Sequence, residues 1–320
     1  MAYSVSIKAK LSHTDLRWDD FLGDGRKKSS LTPFLHRDPI SSPQQIVSPI
    51  VLDLNGDGIA TTGLHSGTIF DHDANGFAEN TGWVNGQDGI LARDLNGNGA
   101  IDSGRELFGS ETLLANGQKA ANGYAALAEL DTNHDGQINA QDAAYTTLKI
   151  WKDTNSDGLS DAGELYTLAD AGVQSIATGS TAVNQVDANG NVTKQTSTFT
   201  RTDSSTGNSA DIWFNVNKTY TLATEKLAET AAVAALPDLQ GFGNVYDLHQ
   251  AILRGTSGNL QSLVQQFATT TDLAARHALC TQIVYAWTGG ADFALCSRVM
   301  KPSLTTFPKE IESDPIPLQF

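Results

Sequence analysis

Five stretches between residues 53 and 164 repeat one arrangement of oxygen donors: Asp first, then Asn or Asp at alternate positions, then glycine. The fullest runs Asp153-Thr154-Asn155-Ser156-Asp157-Gly158-Leu159-Ser160-Asp161-Ala162-Gly163-Glu164. Acid or amide side chains stand at positions 1, 3 and 5, glycine at 6, an acid at 9 and Glu at 12. This is the ligand order of an EF-hand calcium loop. Asp153, Asn155 and Asp157 supply side-chain oxygens and Leu159 its carbonyl; Asp161 acts directly or through water, and Glu164 closes the site with both oxygens. A hard cation wanting six to eight oxygens at about 2.3–2.6 Å is the ligand this chemistry fits. Gly158 is required because the chain turns there with φ > 0.

The other four loops depart from that pattern by degrees. Asp131, Asn133, Asp135 and the Gln137 carbonyl keep the register, with the shorter Asp142 closing. Asp94, Asn96, Asn98 and the Ala100 carbonyl are followed by Glu106 one position late, an expanded loop, and Ile101 suits the short β-bridge that pairs such loops. Asp53, Asn55 and Asp57 open a loop whose closing position is Leu64. Asp71, Asp73 and Asn75 open another, with Glu79 at position 9 and Gly82 at 12. These two either complete each other's coordination or are tight turns that bind nothing. A repeat near 20 residues that recurs five times is not chance.

Elements must hold these loops. Helical spacing over Ala120–Leu130, Ala143–Trp151 and Leu165–Ala171 predicts helices around the fourth and fifth loops, which then share one helix as a paired EF-hand unit. His134, at loop position 4, points to water. The run Ile50–Leu52 reads as a strand. Residues 178–186 and 192–202, joined through Asn189-Gly190, read as a hairpin with Asp187 in its turn; 202–210 reads as a polar loop and 211–216 as a strand.

The expected fold class is α+β: a calcium-loop module with EF-hand-like loops and a β-hairpin region, followed by a small all-α region. The expected order is a leader over 1–48, including a linker at Ser41–Gln45; the calcium module over 49–216; a linker or weak helix over 217–244; a helical region over 245–288; and a disordered tail over 289–320. Helices are expected at 245–254, 260–268 and 272–287, the last with Leu273, Leu279, Ile283, Val284 and Trp287 on one face. His249 and His277 are expected on helix surfaces.

Composition narrows the function. The 320 residues carry 36 Asp+Glu against 21 Lys+Arg, a net charge of −15, which argues against a nucleic-acid partner and predicts self-repulsion without cations. The two cysteines, Cys280 and Cys296, are too few for a disulfide framework. No apolar run is long enough to span a membrane, and the N-terminus lacks the apolar core of a secretory signal. Export therefore needs a signal-peptide-independent route; the family resemblance given below implies an extracellular protein exported by a type I-like route, or a cytoplasmic one where that export signal is lost. A host or cell-surface protein partner is left unspecified, Ca2+ is the only cofactor expected, and no catalytic set is assigned.

Several segments together resemble a known family: Pro49-Ile50-Val51-Leu52-Asp53-Leu54-Asn55-Gly56-Asp57-Gly58, Phe70-Asp71-His72-Asp73, Thr81-Gly82-Trp83-Val84, Asp94 to Gly99, Glu106-Leu107-Phe108-Gly109 and Gly123 to Asp131. Over 49–216 the chain resembles the self-processing module of FrpC-type RTX proteins, an iron-regulated family of secreted bacterial calcium-binding proteins. Leu236 to Val245 with Leu248 to Ala251 resembles a helical region that follows such modules in large RTX proteins. The resemblance implies that calcium folds the module, which then cleaves an Asp-Pro bond at its N-terminal edge. There the Asp carboxylate attacks its own carbonyl carbon, prolyl nitrogen leaves, and a lysine amine opens the resulting anhydride. This chain departs from the pattern in having Ser48 before Pro49, where a hydroxyl allows only an N→O acyl shift and no activating base is evident nearby in sequence. Asp38-Pro39 lies ten residues upstream and Asp314-Pro315 in the tail. The glycine-rich nonapeptide repeats of the RTX class are absent from the sequence.

Overall fold

Three short apolar runs, Ile50-Val51-Leu52, Ile90-Leu91-Ala92 and Ile150-Trp151, are buried at every residue, the signature of strands covered on both faces. In the computed structural model, which describes residues 48–289 and the backbone of 8–9 and 44–45, they form the middle of a nine-stranded antiparallel sheet. Asp38-Pro39, Asp314-Pro315, Cys296 and the tail beyond Gly289 lie outside the described residues. From one edge the strands run Leu165–Thr167, Lys149–Trp151, Gly89–Ala92, Ile50–Leu52, Thr206–Trp213, Val192–Arg201, Val173–Ala177 and Gln137–Ile138, with Thr181–Val186 also paired to Val192–Arg201. Alternation sorts the side chains into two cores. Ile50, Leu52, Leu91 and Ile150 pack with Tyr124, Leu127 and Phe199, while Val51, Ile90, Ala92 and Trp151 pack with Trp83, Phe70 and Phe214.

A second sheet of four strands pairs Gln44–Gln45, Asn215–Ala223, Phe77–Thr81 and Ile69–Phe70 in that order. Two of these strands fall where other structure was expected. Gln44–Gln45 lies in the anticipated linker, and Asn215–Ala223 runs into the stretch read as linker or weak helix. The hairpin forms as expected, with Val186 opposite Val192 and the Asp187 carboxylate accepting from Asn189 N and Asn191 N at 2.8 and 2.9 Å. The polar loop is shorter than expected, because the strand that follows begins at Thr206.

The α+β, EF-hand reading is overturned: the fold is mostly β, with few helices. Of Ala120–Leu130 only Gly123–Ala128 is helical, since the Asn122 side chain caps Ala125 N at 2.8 Å and so starts the helix late. Ala143–Trp151 holds a single 3₁₀ turn, Tyr145–Thr147, and the strand Lys149–Trp151. Leu165–Thr167 is the strand paired to it, Trp151 opposite Leu165. The fifth loop thus closes a β-hairpin and shares no helix with the fourth. The residues chose strand because Ile150 and Trp151 find partners on two sides, Leu91 and Ile90 on one, Tyr166 and Leu165 on the other.

The chain divides into two compact units after Gly255. In the first, the helix Leu248–Arg254 carries His249, which is 6% exposed rather than on the surface. Its Nδ1 is 3.2 Å from Glu229 Oε2 and its Nε2 3.0 Å from Leu236 O. The second unit contains the helices Asn259–Thr269 and Leu273–Trp287, packed together, with Asp272 capping Ala275 N at 2.8 Å. Leu260, Leu263, Val264, Ile283 and Trp287 are buried. Leu273 and Val284, expected on that face, are exposed because five apolar positions span a wider arc than one partner helix covers.

Candidate metal centre

All five loops are built on one hydrogen-bond frame. The loop glycine at position 6 has φ between +81° and +99° and donates its N–H to the first-position Asp. Gly58, Gly76, Gly99, Gly136 and Gly158 reach Oδ2 of Asp53, Asp71, Asp94, Asp131 and Asp153 at 3.1, 2.8, 2.9, 2.9 and 2.8 Å. Asn55, Asn96, Asn133 and Asn155, at position 3, each accept from the N–H two residues on, at 2.9–3.2 Å. A left-handed glycine and Asx turns curl each loop around its carboxylates.

A closing acid completes the frame. In the fifth loop, Glu164 accepts from Thr154 N at 2.9 Å and Asp161 N at 3.1 Å. In the fourth, Asp142 accepts from Thr132 N and Asn139 N at 2.9 and 3.1 Å. In the third, Glu106 accepts from Leu95 N and Asp102 N at 3.0 and 2.8 Å, so the extra residue is absorbed. Ile101 is buried in the core and the bridge beside it runs from Asp71 to Ser103.

The first two loops neither complete each other nor go without an acid. Glu79 accepts from His72 N at 3.3 Å and lies with Asp71 and Asp73 in one group whose ligand oxygens fall within 4.8 Å of one another. Asp88, far outside the loop, closes the first one: its Oδ2 accepts from Ala60 N at 2.9 Å. Glu79 stands in the sequence at position 9; Asp88 carries no loop register, and its one signal is its place just before the strand that pairs with Ile50–Leu52. Asp88 Oδ1 and Asp73 Oδ1 are buried without a hydrogen bond. Carboxylate and amide oxygens with lone pairs to spare are a donor set suited to a hard divalent cation.

The loops also touch one another. Ile69 N donates to Asp157 O at 3.5 Å and Thr68 Oγ1 to Ser156 O at 2.6 Å, which sets the fifth loop beside the entry to the second. Gly104 N donates to Asp71 O at 2.9 Å, joining the second to the third. The fourth stands apart from this chain of contacts, its Ile138 paired with Ile176. Two core tryptophans reach the fifth loop: Trp83 Nε1 donates to Asp153 Oδ2 at 2.7 Å and Trp151 Nε1 to Glu164 Oε2 at 3.3 Å. His134 is exposed, as expected, and Leu159 is exposed beside its own carbonyl.

Burial, with repulsion from neighbouring acids added, pushes Glu79 up to about 7 and Asp88 up to about 6. Burial likewise raises Asp71 and Asp153. At Glu164 and Asp142 burial is outweighed by the several hydrogen bonds just described, and both carboxyls fall below the ordinary range. Glu79 and Asp88 bind protons more tightly folded than unfolded, so their contribution is full below pH about 4 and is lost as pH rises through about 6–7. The expected result is that, with chelator present, the melting temperature rises on going from pH 7.5 to pH 5; a fall would contradict it.

The N-terminal edge is a separate polar site. Ser48 is fully buried, and Ile212 N donates to Pro49 O at 3.1 Å. Asp211, also buried, accepts from Gly123 N at 2.6 Å through Oδ2. Burial pushes Asp211 up to about 6, with Gly123 and the nearby Ser48 hydroxyl pulling it back. Ser48 Oγ and Asp211 Oδ1 are both buried, and neither makes a hydrogen bond of ordinary geometry. The structure thus brings Ser48 the carboxyl that its sequence neighbourhood lacks.

Residues 50–215 match the SPM domain family, and the chain belongs to it. It is 41% identical over 249 residues, 77% of its length, to the iron-regulated protein FrpA of Neisseria meningitidis serogroup C. It spans 22% of that relative. Among the described residues no helix is long and apolar enough to cross a membrane.

Proposed function

We propose that this chain is a calcium-holding module of a secreted, RTX-related protein, in which the loops use cation binding to complete the fold. The observation that carries the reading is the frame shared by all five loops, in which Glu79, Asp88, Glu106, Asp142 and Glu164 take the same closing place. At low cytoplasmic calcium the module is loose; outside the cell, where extracellular modules work with dissociation constants of about 10⁻⁴–10⁻³ M, it folds. The export route that suits this is signal-peptide-independent.

Native mass spectrometry of the metal-stripped chain titrated with calcium tests the reading. Several ions bind to the wild type, and Glu164→Gln carries one fewer. A wild type that takes no calcium sinks it.

A second reading, calcium-triggered self-cleavage at the N-terminal edge, is favoured by one observation, the burial of Ser48 against Asp211. Because residue 48 has no carboxylate, the anhydride route does not start there. The expected covalent mass is therefore unchanged after calcium addition, and fragments ending at Ser48 would reverse the order of the two readings.

A further inference from the structure

Asn-Gly is the dipeptide in which an asparagine most readily loses its side-chain amide. The glycine nitrogen attacks the Asn Cγ, its proton leaves with the departing ammonia, and water opens the resulting succinimide to Asp or isoAsp. Eight such pairs stand in the chain, at Asn55, Asn75, Asn85, Asn96, Asn98, Asn116, Asn122 and Asn189. The step needs a glycine N–H free to lose its proton and an Asn side chain free to swing back onto it. Hydrogen bonds decide both.

Four of the pairs lie in the acidic loops, and the loop frame holds them twice. Gly56 N and Gly97 N donate to Oδ1 of Asp53 and Asp94 at 2.8 and 2.7 Å; Gly76 N and Gly99 N donate to Oδ2 of Asp71 and Asp94 at 2.8 and 2.9 Å. On the other side, Oδ1 of Asn55, Asn75, Asn96 and Asn98 accepts from the N–H two residues on, at 2.8–3.2 Å. Outside the loops, Gly123 N donates to Asp211 Oδ2 at 2.6 Å, Gly117 N to Leu114 O at 2.8 Å and Gly190 N to Asp187 O at 3.2 Å. Asn85-Gly86 is the exception. Asn85 is exposed, and among the described residues neither its side chain nor Gly86 N makes a hydrogen bond. The pair opens a turn in which Asp88 N donates to Asn85 O at 3.0 Å. Gly86 lies against the fifth loop: a Cβ there would be 2.6 Å from Thr154 Cα and 2.7 Å from Asp153 O.

We propose that Asn85 is a spontaneous modification site, the one Asn-Gly pair that folding leaves open, and that its isoaspartyl product pushes the fifth loop away from this turn. IsoAsp lengthens the main chain by one methylene beside a glycine whose place admits no added carbon. Thr154, the residue it meets, donates both its N–H and its hydroxyl to Glu164 at 2.9 Å, so displacement there reaches the closing acid of the loop. The other seven pairs are guarded by the fold, whether or not the loops hold a cation.

The test ages the full chain in mildly alkaline buffer, native and in urea, and maps every Asn-Gly pair by peptide mass spectrometry. In the native chain Asn85 should convert first. The four loop pairs and Asn122 should follow about 10–100-fold more slowly, because a bond to a carboxylate must break, and Asn116 and Asn189 about 2–10-fold more slowly, because theirs is to a neutral carbonyl. In urea the eight rates should converge. Another pair leading in the native chain, or the native order surviving in urea, overturns the site. Hydrogen exchange over residues 153–164 reads the consequence: it should quicken in the isoaspartyl fraction of aged wild type and stay unchanged in Asn85→Gln aged alongside it. Fresh Asn85→Asp, which has the charge without the longer backbone, should exchange like fresh wild type. If it exchanges as fast as the isoaspartyl chain, or if that chain exchanges no faster than fresh wild type, the effect on the fifth loop falls.

Discussion

Chelating calcium is expected to loosen the first unit at neutral pH and to lower its melting temperature. Each loop saturated to a hundred times its dissociation constant contributes about 2.7 kcal/mol. Five such loops approach the whole net stability of an ordinary domain, about 5–15 kcal/mol. What remains after chelation is a sheet carrying buried carboxylates that make no ion pair among the described residues, Asp53, Asp71, Glu79, Asp88 and Asp153 among them. Trp83 and Trp151, fully buried and hydrogen-bonded to Asp153 and Glu164, report the event directly. Their emission should shift to the red as chelator is added and return with calcium. An unshifted spectrum in a sample shown to be metal-free would mean that the sheet stands without its ions.

Gly158→Ala should cost far more than Gly136→Ala, although both glycines hold position 6 of their loops with φ of +81° and +84°. The left-handed backbone alone penalises each by about 1–2 kcal/mol. A Cβ at Gly136 meets nothing, whereas one at Gly158 lies 2.3 Å from Ile69 O, a main-chain atom that cannot swing aside. Moving that strand adds about 1–3 kcal/mol. In saturating calcium the melting temperature should fall by roughly 4–20 °C for Gly158→Ala and roughly 2–8 °C for Gly136→Ala. Equal falls would mean that the fifth loop does not bear on the Ile69–Phe70 strand. Gly158→Ala should also weaken calcium at the second loop, which begins directly after that strand.

The loops are legible in the sequence because their chemistry is local: a carboxylate, an amide and a glycine at fixed spacing describe a curled backbone whatever surrounds it. The strand Ile50–Leu52 and the hairpin at Asn189-Gly190 are legible for the same reason. The elements around the loops are not. Ala143–Trp151 carries apolar residues at a spacing that suits a helix, but Ile150 and Trp151 are claimed by strands at residues 90–91 and 165–166. A short apolar run cannot reveal such distant partners. Asp88 is hidden by the same blindness, since only the pairing of Leu52 with Gly89 brings it to the first loop. His249 looks like a surface residue until Glu229 and Leu236 fold over it.

The strand Ile50–Leu52 lies between Gly89–Ala92 on one side and Thr206–Trp213 on the other, so its two neighbours come from points more than a hundred residues apart in the chain. A ribosome or an export channel releases a chain in order. Whichever end leads, this strand lacks one flank until both it and Thr206–Trp213 are free. Non-local pairing of this kind closes late and slowly. The moment of folding is therefore set by emergence of the whole span from Ser48 to Trp213 rather than by the first acidic loop to appear.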